Sequence, residues 1–151
     1  MSSIIGITTP ALAPLLPVTG TFAMPFSAYF AFLSCRVVYH RLKDQFYVGD
    51  NSSKNGDPNN KLYLASRCHQ NFIENVPMAL IIAAFAELNG ANQRTLSNAL
   101  TALLTFRVLH VELGLINGLG LGRPIGYWGT MATTLWLGGY AAYLVKGYWG
   151  F

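Results

Sequence analysis

Residues 11 to 35, ALAPLLPVTGTFAMPFSAYFAFLSC, contain no charged side chain. As a helix, this stretch rises about 37 Å, against about 30 Å for the hydrocarbon core of a bilayer. Three further segments have similar length and apolar content. Helices are expected at roughly 11–36, 64–88, 96–119 and 125–146. Charge supports this: only 11% of residues are charged, against about 25% in soluble domains. A soluble helical chain hiding its surface in an oligomer is the competing reading, and the segment lengths favour the membrane. The expected fold class is all-α integral membrane, a four-transmembrane-helix bundle in one domain spanning 1–151.

The first segment lacks a basic leader and is too long for a cleaved signal, so it is read as a retained span. Pro14, Pro17 and Pro25 are tolerable there because neighbouring helices can satisfy the freed backbone groups. Residues 42–62 form a polar connection rich in Gly, Asn, Ser and Asp. Arg36, Arg41, Lys43, Lys54, Lys61 and Arg67 cluster around it. This bias places loops 1 and 3 in the cytoplasm. The net charge of +4 makes no case for nucleic acid. Cys35 and Cys68 have no metal-ligand spacing and the three histidines do not cluster, so no metal is expected.

Polar residues inside the apolar segments locate the chemistry. Arg67, Asn71 and Glu74 stand at i, i+4 and i+7, on one face of a helix. Arg107 and His110 form a second polar stripe. Such groups cost about 2.5–3.5 kcal/mol each at the centre of a span, so they should face protein or a wet cavity. Two readings are open. Glu74 could pair with Arg67 or Arg107 and simply join helices, while Arg67 reaches the headgroups. Alternatively, the set binds a ligand. Cations outnumber the single intramembrane carboxylate among Arg36, Arg41, Arg67, Asn71, Glu74, Arg107, His110 and Arg123, and that excess calls for an anion.

RCHQNFIENVP (67–77) resembles the Arg-x-x-x-Asn-x-x-Glu-x-x-Pro signature of the MAPEG family, membrane-associated proteins of eicosanoid and glutathione metabolism. RVVYHRLK after helix one is similar to the family's basic helix-one end, and the 48–62 loop to the glycine-and-aspartate loop of its bacterial-type branch. FRVLH in helix three is similar to the Arg-x-x-His of its microsomal glutathione transferase and prostaglandin E synthase branches. The resemblance spans about residues 15 to 147. It implies a homotrimer with glutathione bound between subunits on the cytoplasmic side. It further implies that Arg36 and Arg67 meet carboxylates, Glu74 an ammonium or amide, and Asn71 the peptide. Arg107, His110 and Tyr127 would belong to the same pocket. Arg123 would stabilise the thiolate: lowering a thiol's pKa by two units takes about 2.7 kcal/mol.

Some residues depart from the family pattern. Gly114 stands where several members have tyrosine, Pro124 where one branch has serine, and Gln70 where that branch has arginine. Glu112 has no counterpart and reads as either a solvated rim residue or an acid–base group. These departures argue against a dedicated prostaglandin or leukotriene synthase. The leading expectation is a transferase joining glutathione to lipophilic electrophiles, with peroxidase activity toward lipid hydroperoxides as a companion reaction. An isomerase or cyclase acting on a lipophilic metabolite is the second reading, and a non-enzymatic lipid-binding or scaffold protein the third. The expected location is the endoplasmic reticulum or a bacterial inner membrane.

Overall fold

The computed structural model describes residues 14–49, 60–116 and 120–150. Helix α1 runs Pro17–Asp44 and α2 Lys61–Leu88. Helix α3, Gln93–Val108, continues directly into a π-helix, Leu109–Leu115. Helix α4, Gly122–Leu144, ends in a short 3-10 turn, Lys146–Trp149. No strand occurs among the described residues.

Local signals set the helix boundaries. Pro17 occupies the first turn of α1, where its missing N–H is not needed. The next two donors have a remote partner: the Val18 and Thr19 N–H groups donate to the two Glu87 carboxylate oxygens at 2.6 and 2.8 Å. The far end of α2 thus caps the start of α1, and the acidic group suits the positive helix end. Residues 11–13, expected in the first helix, lie outside the described residues.

At its other end α1 passes the expected limit of 36 and reaches Asp44. Arg41 and Lys43 lie in its last turn, where cations complement the helix dipole. Arg41 also donates to the Tyr47 and Gly49 carbonyls, folding the start of the connection back on the helix. Residues 50–59 of that expected loop lie outside the description. Asn60 and Asn92 cap α2 and α3, accepting from the Tyr63 and Thr95 N–H groups. These caps start α2 and α3 three residues ahead of the apolar runs.

Helices α1 and α2 are antiparallel: Phe26 meets Phe72 at 6.4 Å between ring centroids, and Phe30 meets His69 at 5.1 Å. The buried face of α2 repeats as Ala65, Cys68, Phe72, Val76, Ala79, Ala83 and Ala86, the three-and-four spacing of a helical stripe. By contrast α1 buries only Val18, Phe26 and Leu33. Large apolar side chains cover the outside, among them Met24, Phe32, Phe85 and Leu135. Such an apolar girdle needs lipid or another protein surface. Helices α1 and α2, 28 residues each, are long and apolar enough to cross a membrane.

The π-helix and α4 approach each other backbone to backbone. A Cβ on Gly114 would lie 2.5 Å from the Arg123 nitrogen, and one on Gly126 would lie 2.5 Å from the His110 Cβ. Glycines on both helices create this seam, the close approach that small residues permit in membranes. It also gives Gly114 a physical role: a tyrosine there could not coexist with this packing.

Candidate functional site

At one end of the bundle α2, the π-helix and α4 enclose a cavity of about 800 Å³. Its lining includes Tyr63, Arg67, Asn71, His110, Arg123 and Tyr127. Five of these were expected from the sequence: Arg67, Asn71, His110, Arg123 and Tyr127. They come from three elements and meet because the chain turns at this end twice. The volume lies within the range of small-molecule sites.

The cavity is rich in hydrogen-bond donors. No carboxylate lines it among the described residues. Arg67 is exposed and gives one N–H to Gln70 Oε1 at 3.0 Å. The Arg123 guanidinium makes no hydrogen bond or ion pair among the described residues. Asn71 is held from behind: its Oδ1 accepts from Arg107 Nη1 at 2.7 Å. That bond commits the amide oxygen and leaves the Asn71 NH₂ as a donor. His110 is fixed by a 2.9 Å bond from Nδ1 to the Arg123 carbonyl. A carbonyl can only accept, so Nδ1 carries the proton and a neutral ring has its lone pair at Nε2.

Arg107 has a different place from the one expected. It is 1% exposed and lies inside the bundle rather than in the cavity lining. Its Nε donates to Thr130 Oγ1 at 2.7 Å and its Nη2 to the Gly126 carbonyl at 3.2 Å. The Asn71 bond completes a three-way hub joining α2, α3 and α4. The expected helical stripe of Arg107 and His110 diverges because the π-helix begins at Leu109, between them.

Arg36 also lies away from the cavity. Its Nη2 donates to Glu112 Oε1 at 2.8 Å, and the Tyr29 hydroxyl donates to the same oxygen at 3.2 Å. Glu112 is therefore an ion-pair partner tying α1 to the π-helix, rather than a solvated rim residue. Arg36 Nη1 is buried with no partner among the described residues. Glu74, one turn beyond Asn71, is exposed on α2 and pairs with neither Arg67 nor Arg107.

The seam offers a direct test. Gly126→Ala forces a methyl against His110 backbone atoms at 2.6 Å and should destabilise the protein by about 1–3 kcal/mol or more. Gly138→Ala, where a Cβ would have nothing within 4 Å, should be neutral or slightly stabilising. Thermal unfolding in detergent compares them. Equal melting temperatures would refute the close approach.

The family model of the MAPEG family matches residues 19–143. The chain belongs to the MAPEG family. No curated protein gives a match to it. Membership carries a membrane setting and, in general terms, glutathione-related chemistry of the transferase or isomerase type. In this MAPEG chain Tyr63, Leu64, Leu115 and Pro124 also line the cavity. Tyr63 was within reach of sequence reasoning, since it precedes Arg67 by four and Asn71 by eight on the same helix face. The Thr130 and Gly126 acceptors of Arg107 gave no sequence signal, because they lie 23 and 19 residues away.

Proposed function

We propose that this MAPEG chain is a membrane-bound glutathione transferase acting on lipophilic electrophiles, with lipid hydroperoxides as a second substrate class. The observation that carries this reading is the cavity's donor set: two arginines and an asparagine amide, with no carboxylate among the described lining residues. An anionic tripeptide with two carboxylates fits those donors. A fatty ligand alone would leave them unpaired, which weighs against a lipid-binding scaffold.

Glutathione, when bound, supplies the thiol that attacks the electrophile. Arg67 binds a carboxylate, and the Asn71 amide donates to a peptide carbonyl. Arg123 stands in the first turn of α4, where the helix dipole adds to its own positive charge. It favours thiolate over thiol. His110 and Tyr127 complete the wall. Arg36, with one buried nitrogen open, and Glu74, on the outer face of α2, are completed by a neighbouring copy or by the ligand at its boundary. We therefore propose a homotrimer of four-span subunits with this end facing the cytoplasm, in the endoplasmic reticulum or a bacterial inner membrane.

The isomerase or cyclase reading would use His110 and Glu112 on one substrate. His110 bonds the α4 backbone and Glu112 bonds α1, which weighs against that pairing.

The test is Arg123→Ala. Wild-type protein should bind glutathione in a calorimetric titration and show an ultraviolet thiolate band at neutral pH. The variant should still bind through Arg67 and Asn71, lose the band, and turn over at least tenfold more slowly, about 1.4 kcal/mol in the barrier. Retention of both band and rate would remove Arg123 from the chemistry. Failure of the wild type to bind would overturn the glutathione reading itself.

A further inference from the structure

A second cavity, about 470 Å³, lies between α3 and α4 at the opposite end of the bundle. It arises from small side chains. Ala99 and Ala102 on α3 face Ala132 on α4, and Trp136 forms a wall. Thr95 and Asn98 line it toward the start of α3. Thr133 spends its hydroxyl on the Gly129 carbonyl. Three alanines leave a gap that leucines would fill, and interiors do not keep such gaps empty when an apolar group can enter. From Thr95 to Ala102 the groove descends about 10 Å along the helix.

The depth of this groove is fixed by its neighbours. The Asn92 N–H donates to the Tyr140 hydroxyl at 3.0 Å, so the start of α3 is level with the last turns of α4. Tyr140 stacks on Trp136 at 5.2 Å. Just beyond lie Lys146 over the Tyr143 ring at 4.1 Å, and the exposed Tyr148 and Trp149. Aromatic and basic side chains together mark the level of the lipid headgroups. The upper end of the groove therefore meets headgroups, and its floor meets acyl chains.

The charge at that upper end is unbalanced. Arg94 adjoins Thr95, is exposed, and makes no hydrogen bond or ion pair among the described residues. The nearest acid along the chain, Glu87, has both oxygens taken by the α1 backbone. The other described acids, Asp44, Glu74 and Glu112, stand near the other end or farther along α2. Arg94 thus has no counter-charge among the described residues.

We propose that the groove is a binding site for an anionic glycerophospholipid, with one acyl chain against Ala99, Ala102 and Ala132 and the phosphate paired with Arg94. Asn98 and Thr95 face the ester region between them. The site is separate from the larger cavity and does not depend on glutathione.

Trp136 is 47% exposed and provides the readout. The chain has three tryptophans, so a Trp128→Phe, Trp149→Phe background isolates it. The protein is reconstituted in phosphatidylcholine vesicles with increasing amounts of bromine-labelled phosphatidylglycerol or bromine-labelled phosphatidylcholine. Brominated phosphatidylglycerol should quench Trp136 at about fivefold lower mole fraction, the scale expected for one arginine at an anionic headgroup. Arg94→Gln, at an exposed position, should abolish that preference with helix content unchanged. Ala102→Leu should weaken quenching by both lipids. Equal quenching by the two lipids in the unmodified site would overturn the headgroup assignment. Unchanged quenching in a folded Ala102→Leu protein would overturn the acyl-chain assignment. Absence of quenching by either would mean that another copy covers this face, and would overturn the proposal as a whole.

Discussion

Arg107→Met should lower the stability of the bundle by about 2–4 kcal/mol. Two effects oppose each other at this residue. Burying a guanidinium costs several kcal/mol per ion, so an apolar replacement relieves a penalty. Against that, Arg107 makes three hydrogen bonds, to Asn71, Thr130 and the Gly126 carbonyl, each worth about 1.5–3 kcal/mol with a charged donor. The Gly126 carbonyl keeps a partner in the Thr130 hydroxyl at 2.8 Å. Asn71 Oδ1 has no substitute and is left facing the interior. The hydrogen bonds are therefore expected to win. Arg107→Lys separates the terms further: it keeps the charge, but one ammonium cannot span three acceptors on two helices. Both variants should melt earlier than wild type in detergent. A stabilised Arg107→Met protein beside a weakened Arg107→Lys would show that the burial penalty dominates and that the hub is not what joins α2, α3 and α4.

The helices were readable because their cause is local. Long apolar runs give helix count and approximate length, but the Asn60 and Asn92 caps start α2 and α3 three residues earlier than those runs suggest. The extension of α1 to Asp44 was missed because its last two turns are polar and resemble loop. The π-helix at Leu109–Leu115 could not be read, since it depends on the glycine seam with α4 and on partners far away in sequence.

The site divides along the same line. Arg67 and Asn71 share an α2 face by spacing alone, and both line the cavity. His110 and Arg123 were named separately; their joining bond depends on the fold. Arg107 and Arg36 were grouped with the ligand residues because spacing reports a helix face and not its neighbour. The neighbour of Arg107 is the polar edge of α4, and that of Arg36 is Glu112. One cation is thereby spent on structure and another is paired, which leaves Arg67 and Arg123 as the cavity's arginines.

Glu74→Gln should weaken glutathione binding by about 2–5 kcal/mol, the range for losing one partner of a hydrogen-bonded charge pair that, in the proposed assembly, the ligand and a neighbouring copy would bury. The motivation is a carboxylate without a partner. Glu74 is exposed on α2, one turn beyond Asn71, and makes no ion pair among the described residues. It stands between Ile73, itself exposed, and Asn75, whose amide donates to the Asn71 carbonyl. A charge at that depth must meet something polar, because lipid would make it expensive. In the proposed trimer, its position on the outer face would bring it to a neighbouring copy and to a ligand held at that boundary. Glutamine keeps the shape and one acceptor, so a structural role in the subunit should survive while the attraction for an ammonium is lost. Two measurements on one sample decide the matter. A glutathione titration should show the weakened affinity, and the detergent-corrected mass should remain that of a trimer. If affinity holds while the trimer dissociates or the melting temperature falls, Glu74 joins subunits and does not contact the ligand. A wild-type mass of a monomer or dimer would remove the boundary on which the composite site depends.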